Sequence, residues 1–114
     1  MQHRDKTILL KVNDELSIAL KMLSTCDFEE FSKNEILKRA ICMTVINIGE
    51  LIKNLSEDIR KEYPQIPWKS IAGFRDIAAH KYQKLKMKDV YITVKEDFPV
   101  LKRNIEDILK KTEL

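Results

Sequence analysis

The spacing of the apolar residues constrains this chain most, because they recur at steps of three and four over most of its length. A period of 3.6 residues places such positions on one face of an α-helix, whereas a half-buried strand would need strict alternation. Glycine and proline, the residues that most often interrupt helices, number only 2 and 3. The sequence therefore predicts one all-α domain over residues 1–114, an up-and-down bundle of four to five helices.

Two long helices are predicted in the first half of the chain, over about residues 4–23 and 33–62. Ser32 followed by Glu35 has the form of a capping box and would begin the second helix. Between residues 40 and 52 this helix is apolar on more than one face, so it needs cover on more than one side. A second copy of the chain would give that cover, and we predict a homodimer.

Gly49 lies in the middle of the second predicted helix, where glycine costs about 1 kcal/mol relative to alanine. Its use there would be to let another helix approach closely. Asn47 and Glu50 lie on one side of the same helix. They would either line a functional cleft, where they could pair with Arg75, or form an ordinary polar pair on the helix surface.

Two further helices are predicted in the second half of the chain. Pro67 fits the first turn of a helix that contains Trp68, and Asp89 would cap the last helix. Pro99 lies within that last helix and should kink it near Asp97, because proline removes a backbone N–H and clashes with the preceding turn.

The composition argues against several kinds of protein. No apolar run approaches the roughly 20 residues that cross a bilayer, and the first residues lack the apolar core of a signal peptide. We therefore expect a cytoplasmic protein. Cys26 and Cys42 have neither a zinc-site spacing nor the pattern of a disulfide framework. No metal and no cofactor are expected.

The most basic segment is GFRDIAAHKYQKLKMK, residues 73 to 88, and from residue 75 onward its formal charge is +4 against +3 for the whole chain. Asp76 and His80 are four residues apart, so Asp76 could accept a hydrogen bond from the imidazole. Tyr82 would lie over Arg75 if the helix continued. Arg75 and His80 differ by about 140° around a helix, so they would converge through a swing of the arginine or across a dimer.

An imidazole beside a guanidinium suits the cleavage of RNA through its own 2′-hydroxyl group. His80 would act as general acid and base, and Arg75 would stabilise charge on the phosphate. Lysines that follow would hold the sugar–phosphate backbone without reading bases. They are Lys81, Lys84, Lys86 and Lys88. Each of these features also has an ordinary interpretation: a histidine that interacts with the helix dipole, a surface ion pair, a packed tyrosine and a solvated loop.

The run RDIAAHKY has the form R-x4-H-x-Y and resembles the signature of HepT-like toxins in the HEPN superfamily. The upstream sequence IGELIKNLSEDIRKEYPQIPWKSIAGFRD is similar to that family's long second helix and the segment that follows it. Residues 45 to 82 carry the most specific part of the likeness. Lys81 is a departure, because glycine is common in the family before the tyrosine.

The resemblance implies the toxin of a type VII-like toxin–antitoxin system, a metal-independent endoribonuclease with a site across a dimer cleft. Its partner would be an MntA-like minimal nucleotidyltransferase, the antitoxin, which transfers AMP to the motif tyrosine. By position, Arg75 and His80 would be catalytic, Asp76 and Glu50 would support them, and Tyr82 would be modified, with its AMP over Arg75. A different class stays open: a non-catalytic helical partner that binds such a nucleotidyltransferase.

Overall fold

The computed structural model describes residues 1–112, and within them the regular structure is helical with no strand. This confirms the predicted all-α class. The helices are α1 His3–Met22, α2 Phe28–Lys33, α3 Glu35–Lys53, α4 Glu57–Glu62, α5 Trp68–His80, α6 Met87–Ile92 and α7 Phe98–Thr112, with a 3₁₀ turn at Tyr82–Lys84 and a π-type turn at Thr93–Asp97.

The central helix is α3, which packs against α1 on one side and α5 on the other, while α7 packs against α1. The predicted apolar stripe of α1 faces this core, and Leu9, Val12 and Leu16 are fully buried. On α3, Val45 is only 4% exposed, whereas Met43 is 57% exposed. The fold itself therefore covers most of the surface that we expected a second copy to cover. The homodimer stays a prediction.

The predicted capping box at Ser32 and Glu35 is wrong. Ser32 lies inside α2, where its hydroxyl donates to the carbonyl of Glu29 at 2.8 Å. Asn34 caps α3 instead, because its side-chain oxygen accepts a hydrogen bond from the amide of Leu37 at 3.0 Å. The helix predicted from about residue 33 therefore begins at Glu35.

The predicted end of the same helix, at about residue 62, is also wrong, because α3 ends at Lys53. The amide and hydroxyl of Ser56 donate to the carboxylate of Asp5 at 2.9 and 2.6 Å. Asp5 is 2% exposed, so this is a buried contact between α1 and the segment that separates α3 from α4. The Ser56 hydroxyl oxygen then accepts from the amide of Ile59 and begins α4. The carboxylate of Asp5, distant in sequence, thus accepts the hydrogen bond that the Ser56 amide would donate to a backbone carbonyl in a continuous helix.

The predicted last helix corresponds to α6, the π-type turn and α7 together. It begins at Met87, so Asp89 lies within α6 and does not cap it, and Lys86 precedes α6 without a side-chain cap. Near Asp97, where a kink is predicted, the structure has a π-type turn, Thr93–Asp97, that leads directly into α7. A wider turn accommodates the missing N–H and the ring of Pro99, so the helical path continues through the proline.

Candidate functional site

The helix that carries the candidate site, α5, is anchored at its first residue. The indole N–H of Trp68 donates to the carbonyl of Tyr63 at 3.0 Å, and the Trp68 side chain is buried at 7% exposure. At the other end, α5 stops at His80, because Lys81 leaves helical geometry at φ −134° and ψ 38°. Arg75, Asp76 and His80 therefore lie in the last two turns of one fixed helix.

Arg75 crosses α3 at Gly49. A Cβ atom at position 49 would fall on the Cβ of Arg75 and lie 2.7 Å from its Cγ. The stem of the arginine thus occupies the space that any other residue would fill. The predicted close approach of a helix at Gly49 is confirmed, and the approaching helix is α5 of the same chain.

The guanidinium group of Arg75 is held by carboxylates on two helices. Its Nη2 lies 2.9 Å from Oε2 of Glu50, which confirms the predicted pairing, and its Nη1 lies 3.0 Å from Oδ1 of Asp76. The same Asp76 oxygen accepts a hydrogen bond from Lys53 at 2.7 Å. Hydrogen bonds from Lys53 and then Arg75 lower the pKa of Asp76 below its ordinary value. The charges of Arg75 and Lys53 balance those of Glu50 and Asp76, and the ion pairs fix the position of the guanidinium group.

The expected hydrogen bond between Asp76 and His80 does not form; Oδ1 of Asp76 accepts hydrogen bonds from Lys53 and Arg75 instead. The His80 ring is exposed and makes no side-chain hydrogen bond to the described residues. It lines a shallow pocket of about 440 Å³ whose walls are residues 79 to 84, without Arg75. A free imidazole at such a surface is accessible to a ligand and able to exchange a proton with it.

Tyr82 does not lie over Arg75, so that prediction is wrong. Because α5 ends at His80, Tyr82 belongs to a separate 3₁₀ turn and reaches the first turns of α3. Its hydroxyl lies 3.5 Å from Oε1 of Glu35, and the guanidinium of Arg39 lies 5.5 Å from the centre of its ring. Burial and then the charge of Glu35 raise the pKa of the phenol.

The four lysines of the predicted RNA-binding segment are exposed. Lys81 and Lys84 line the His80 pocket, and Lys88 lies 5.5 Å from the centre of the Phe28 ring. Asn47 is exposed on the side of α3 that faces α1, in a groove that it shares with Glu50. The roles of the four lysines in binding RNA, and of Asn47 near a functional cleft, stay predictions.

Sequence reasoning missed three residues around these groups: Lys53, Glu35 and Arg39. Lys53 could have been found, since it follows Glu50 by three positions on the same helical face. Glu35 and Arg39 could not, because only the end of α5 at His80 brings Tyr82 to them.

The described residues contain neither a candidate metal site nor a membrane-spanning helix. Over residues 1–112, no group of three or more His, Cys, Asp or Glu side chains could hold a metal ion. In the same range, no helix has both the length and the apolar character that crossing a membrane requires.

Burial raises the pKa of the Cys42 thiol to about 11, which keeps it protonated at neutral pH.

Known proteins resemble the chain over nearly all of its length. It is 34% identical over 114 residues to "Putative RNase MJ0125" of Methanocaldococcus jannaschii, covering 99% of this chain and 98% of that protein. It is 32% identical over 97 residues to "Putative RNase TTE0752" of Caldanaerobacter subterraneus subsp. tengcongensis, covering 85% of this chain and 87% of that protein. "Probable ribonuclease HepT" of Thermococcus cleftensis is 29% identical over 110 residues, covering 96% of this chain and 100% of that protein.

No solved structure matches the chain. The family described as "Ribonuclease HepT-like" matches residues 12–108. With this match and relatives that it spans almost entirely, the chain belongs to the HepT-like family of the HEPN superfamily.

Proposed function

We propose that this protein is a metal-independent endoribonuclease toxin that cleaves RNA through the 2′-hydroxyl group. The observation that carries the proposal is that one helix, α5, presents both a cation fixed in position and an exposed imidazole. The side chain of Arg75 packs on Gly49 and pairs with two carboxylates, and His80, at the exposed end of α5, has no side-chain hydrogen bond within residues 1–112. Membership of a ribonuclease family supports RNA as the substrate class.

His80 acts as the general acid and base. It takes the proton of the 2′-hydroxyl, whose oxygen then attacks the adjacent phosphorus, while the 5′-oxygen leaves and is protonated in turn. Removal of such a group typically costs about 10²–10⁴-fold in rate. The imidazole suits this role because it is exposed and has no competing side-chain hydrogen bond among the described residues.

Arg75 stabilises the charge that develops on the phosphate oxygens. Its pair with Glu50 is the one that a phosphate can replace, because the Glu50 side chain is 54% exposed and free to turn into solvent. Asp76 stays in place, since Lys53 also binds it. The guanidinium therefore keeps its position while one carboxylate is exchanged for the phosphate.

The site is completed by a second copy of the chain. Arg75 points toward α3, whereas His80 opens into a pocket that does not include it. In a two-fold dimer, Arg75 of one subunit meets His80 of the other. Lys81, Lys84, Lys86 and Lys88 bind the RNA backbone, so RNA affinity falls as salt rises.

Tyr82 is the regulatory residue. An MntA-like nucleotidyltransferase, acting as antitoxin, attaches AMP to its phenolic oxygen and stops cleavage. Tyr82 lines the same pocket as His80, and its hydroxyl lies beside that pocket at Glu35, so a nucleotide attached there obstructs the approach of RNA to His80. Tyr82→Phe removes the acceptor oxygen, and it should leave cleavage intact while making the protein resistant to the transferase.

A second function is favoured by one observation. Both terminal nitrogens of Arg75 are already in ion pairs, as expected of an arginine that only stabilises the fold. In that case the protein is a non-catalytic partner that binds the nucleotidyltransferase. The two functions differ in what the purified chain does to RNA when no partner is present.

The experiment compares variants on purified RNA and in growth assays. We expect His80→Ala and Arg75→Ala each to lose about 10²–10⁴-fold in cleavage rate and to lose toxicity while remaining folded. His3→Ala and Arg103→Ala are matched controls, because they remove the other histidine and an exposed arginine of α7, and both should behave as the wild type. Equal cleavage by the wild type and His80→Ala would exclude the catalytic role.

The shared site has a separate test, because two inactive variants can complement each other. A mixed dimer of Arg75→Ala and His80→Ala subunits contains one intact pair, so an equilibrated mixture should recover about one quarter of wild-type activity. If both residues act within one chain, the mixture stays inactive.

A further inference from the structure

A single carboxylate lies between Tyr82 and two cations on α3. Oε1 of Glu35 lies 3.5 Å from the Tyr82 hydroxyl and accepts a hydrogen bond from Arg39 at 3.0 Å. Its other oxygen, Oε2, lies 3.1 Å from the ammonium group of Lys38. Arg39 also lies against the Tyr82 ring. The phenolic oxygen is therefore held at the edge of a small cationic site that a carboxylate fills.

A phosphate on the Tyr82 oxygen would reach the place of the Glu35 carboxylate. Two anions cannot share that place, and Glu35 is the one free to leave, because its side chain is 56% exposed at the start of α3. Lys38 is less free to move, since its side chain is largely covered at 18% exposure. Arg39 is 68% exposed, but its guanidinium group already lies over the Tyr82 ring, 5.5 Å from the ring centre. Both cations would pair with the phosphate through charge-assisted hydrogen bonds.

We propose that Lys38 and Arg39 form a binding site for the phosphate of a nucleotide carried on Tyr82, and that Glu35 occupies this site in the unmodified protein. The inference rests on the proposed function in taking Tyr82 as the modified residue. It places the nucleotide against the first turns of α3, beside the His80 pocket, rather than over Arg75. Once the phosphate has replaced the Glu35 carboxylate, its ion pairs with Lys38 and Arg39 hold the modified tyrosine in place.

The modification itself needs a nucleoside triphosphate and a transferase. The phenolic oxygen attacks the α-phosphorus, the new oxygen–phosphorus bond forms as the bond to pyrophosphate breaks, and pyrophosphate leaves. Glu35 does not take the phenol proton, because hydrogen bonding from Lys38 lowers its pKa while burial raises the pKa of Tyr82. The proton passes to a base of the transferase, and Glu35 orients the acceptor oxygen.

The test places phosphotyrosine at position 82 of the full chain during translation, so that it needs no transferase. The titration of that phosphate is followed by ³¹P NMR. Two adjacent cations favour its doubly charged form, so the double variant Lys38→Gln/Arg39→Gln should raise the midpoint by about one pH unit. Glu35→Gln removes the competing carboxylate and should lower it.

The control removes the same charges from elsewhere. Lys69→Gln/Arg103→Gln neutralises one exposed lysine and one exposed arginine on other helices, and it should shift the midpoint far less. Circular dichroism checks that every variant is folded. Equal midpoints for the two double variants would overturn the proposed site. A failure of the transferase to modify Tyr82 would instead count against the regulatory part of the proposed function, and the titration would keep its meaning.

Discussion

Gly49→Ala tests the contact on which the site is built. The added methyl group would fall on the Cβ of Arg75 and lie 2.7 Å from its Cγ, whereas carbon atoms pack at about 3.5–4.0 Å. Neither helix can absorb this with a side-chain rotation, because the Cβ of Arg75 is fixed to the backbone of α5. We expect α5 to move away from α3 by on the order of 1 Å.

The energetic balance can be estimated from two opposing effects. Alanine is better than glycine in a helix by about 1 kcal/mol, which favours the variant. Overpacking of a close contact costs about 1–3 kcal/mol and sometimes more, and a clash between two backbone-fixed carbons belongs at the upper end. The net result should be a loss of about 1–2 kcal/mol in the free energy of unfolding. The ion pairs of Arg75 should loosen as α5 moves.

Gly73→Ala is the matched control, because Gly73 lies on α5 and a Cβ there would meet nothing within 4 Å. It should gain about 0.5–1 kcal/mol from helix propensity alone. Urea denaturation measures the free energy of unfolding of both variants, and the cleavage assay reports whether Arg75 has moved. If Gly49→Ala proved as stable as the wild type, or gained as much as Gly73→Ala, the contact between Gly49 and Arg75 would not be tight and the reasoning would be refuted.

Two further predictions concern the fold. Asp5→Ala leaves the amide and hydroxyl of Ser56 without their buried partner and should cost about 1–3 kcal/mol in urea denaturation, while Asp14→Ala, at an exposed position of α1, should cost almost nothing. Because burial raises the pKa of Cys42 from 9.0 to about 11, the unfolded chain ionises first, and stability should fall as pH rises through this window. Cys42→Ala should lack that part of the fall in alkaline thermal denaturation, and an identical pH profile would contradict it.

Two contacts of Arg75 could be anticipated from the sequence. A glycine within a predicted helix indicates that another helix approaches there, and a pair with Arg75 is one of the two alternatives for Glu50; both contacts are present. The buried stripe of α1 follows from the 3.6-residue period. That stripe depends on neighbours within a few turns, which a single sequence displays.

Other features depend on contacts between distant residues. The break between α3 and α4 exists because Asp5, 51 positions away from Ser56, takes a backbone amide. Lys53 and Asp76 are separated by 23 positions, so no periodicity links them. The end of α5 at His80 is marked by neither glycine nor proline, so the sequence gives no sign that Tyr82, two residues later, lies outside the helix.

The most direct measurement of the central claim is cleavage by the purified wild-type chain in EDTA, with no nucleotidyltransferase present. The substrates are one RNA and the same RNA with 2′-O-methyl groups throughout. The account predicts that only the unmodified RNA is cut and that the new ends carry 2′,3′-cyclic phosphate, because the 2′-oxygen is the nucleophile. Intact RNA, or equal cutting of both substrates, would contradict it.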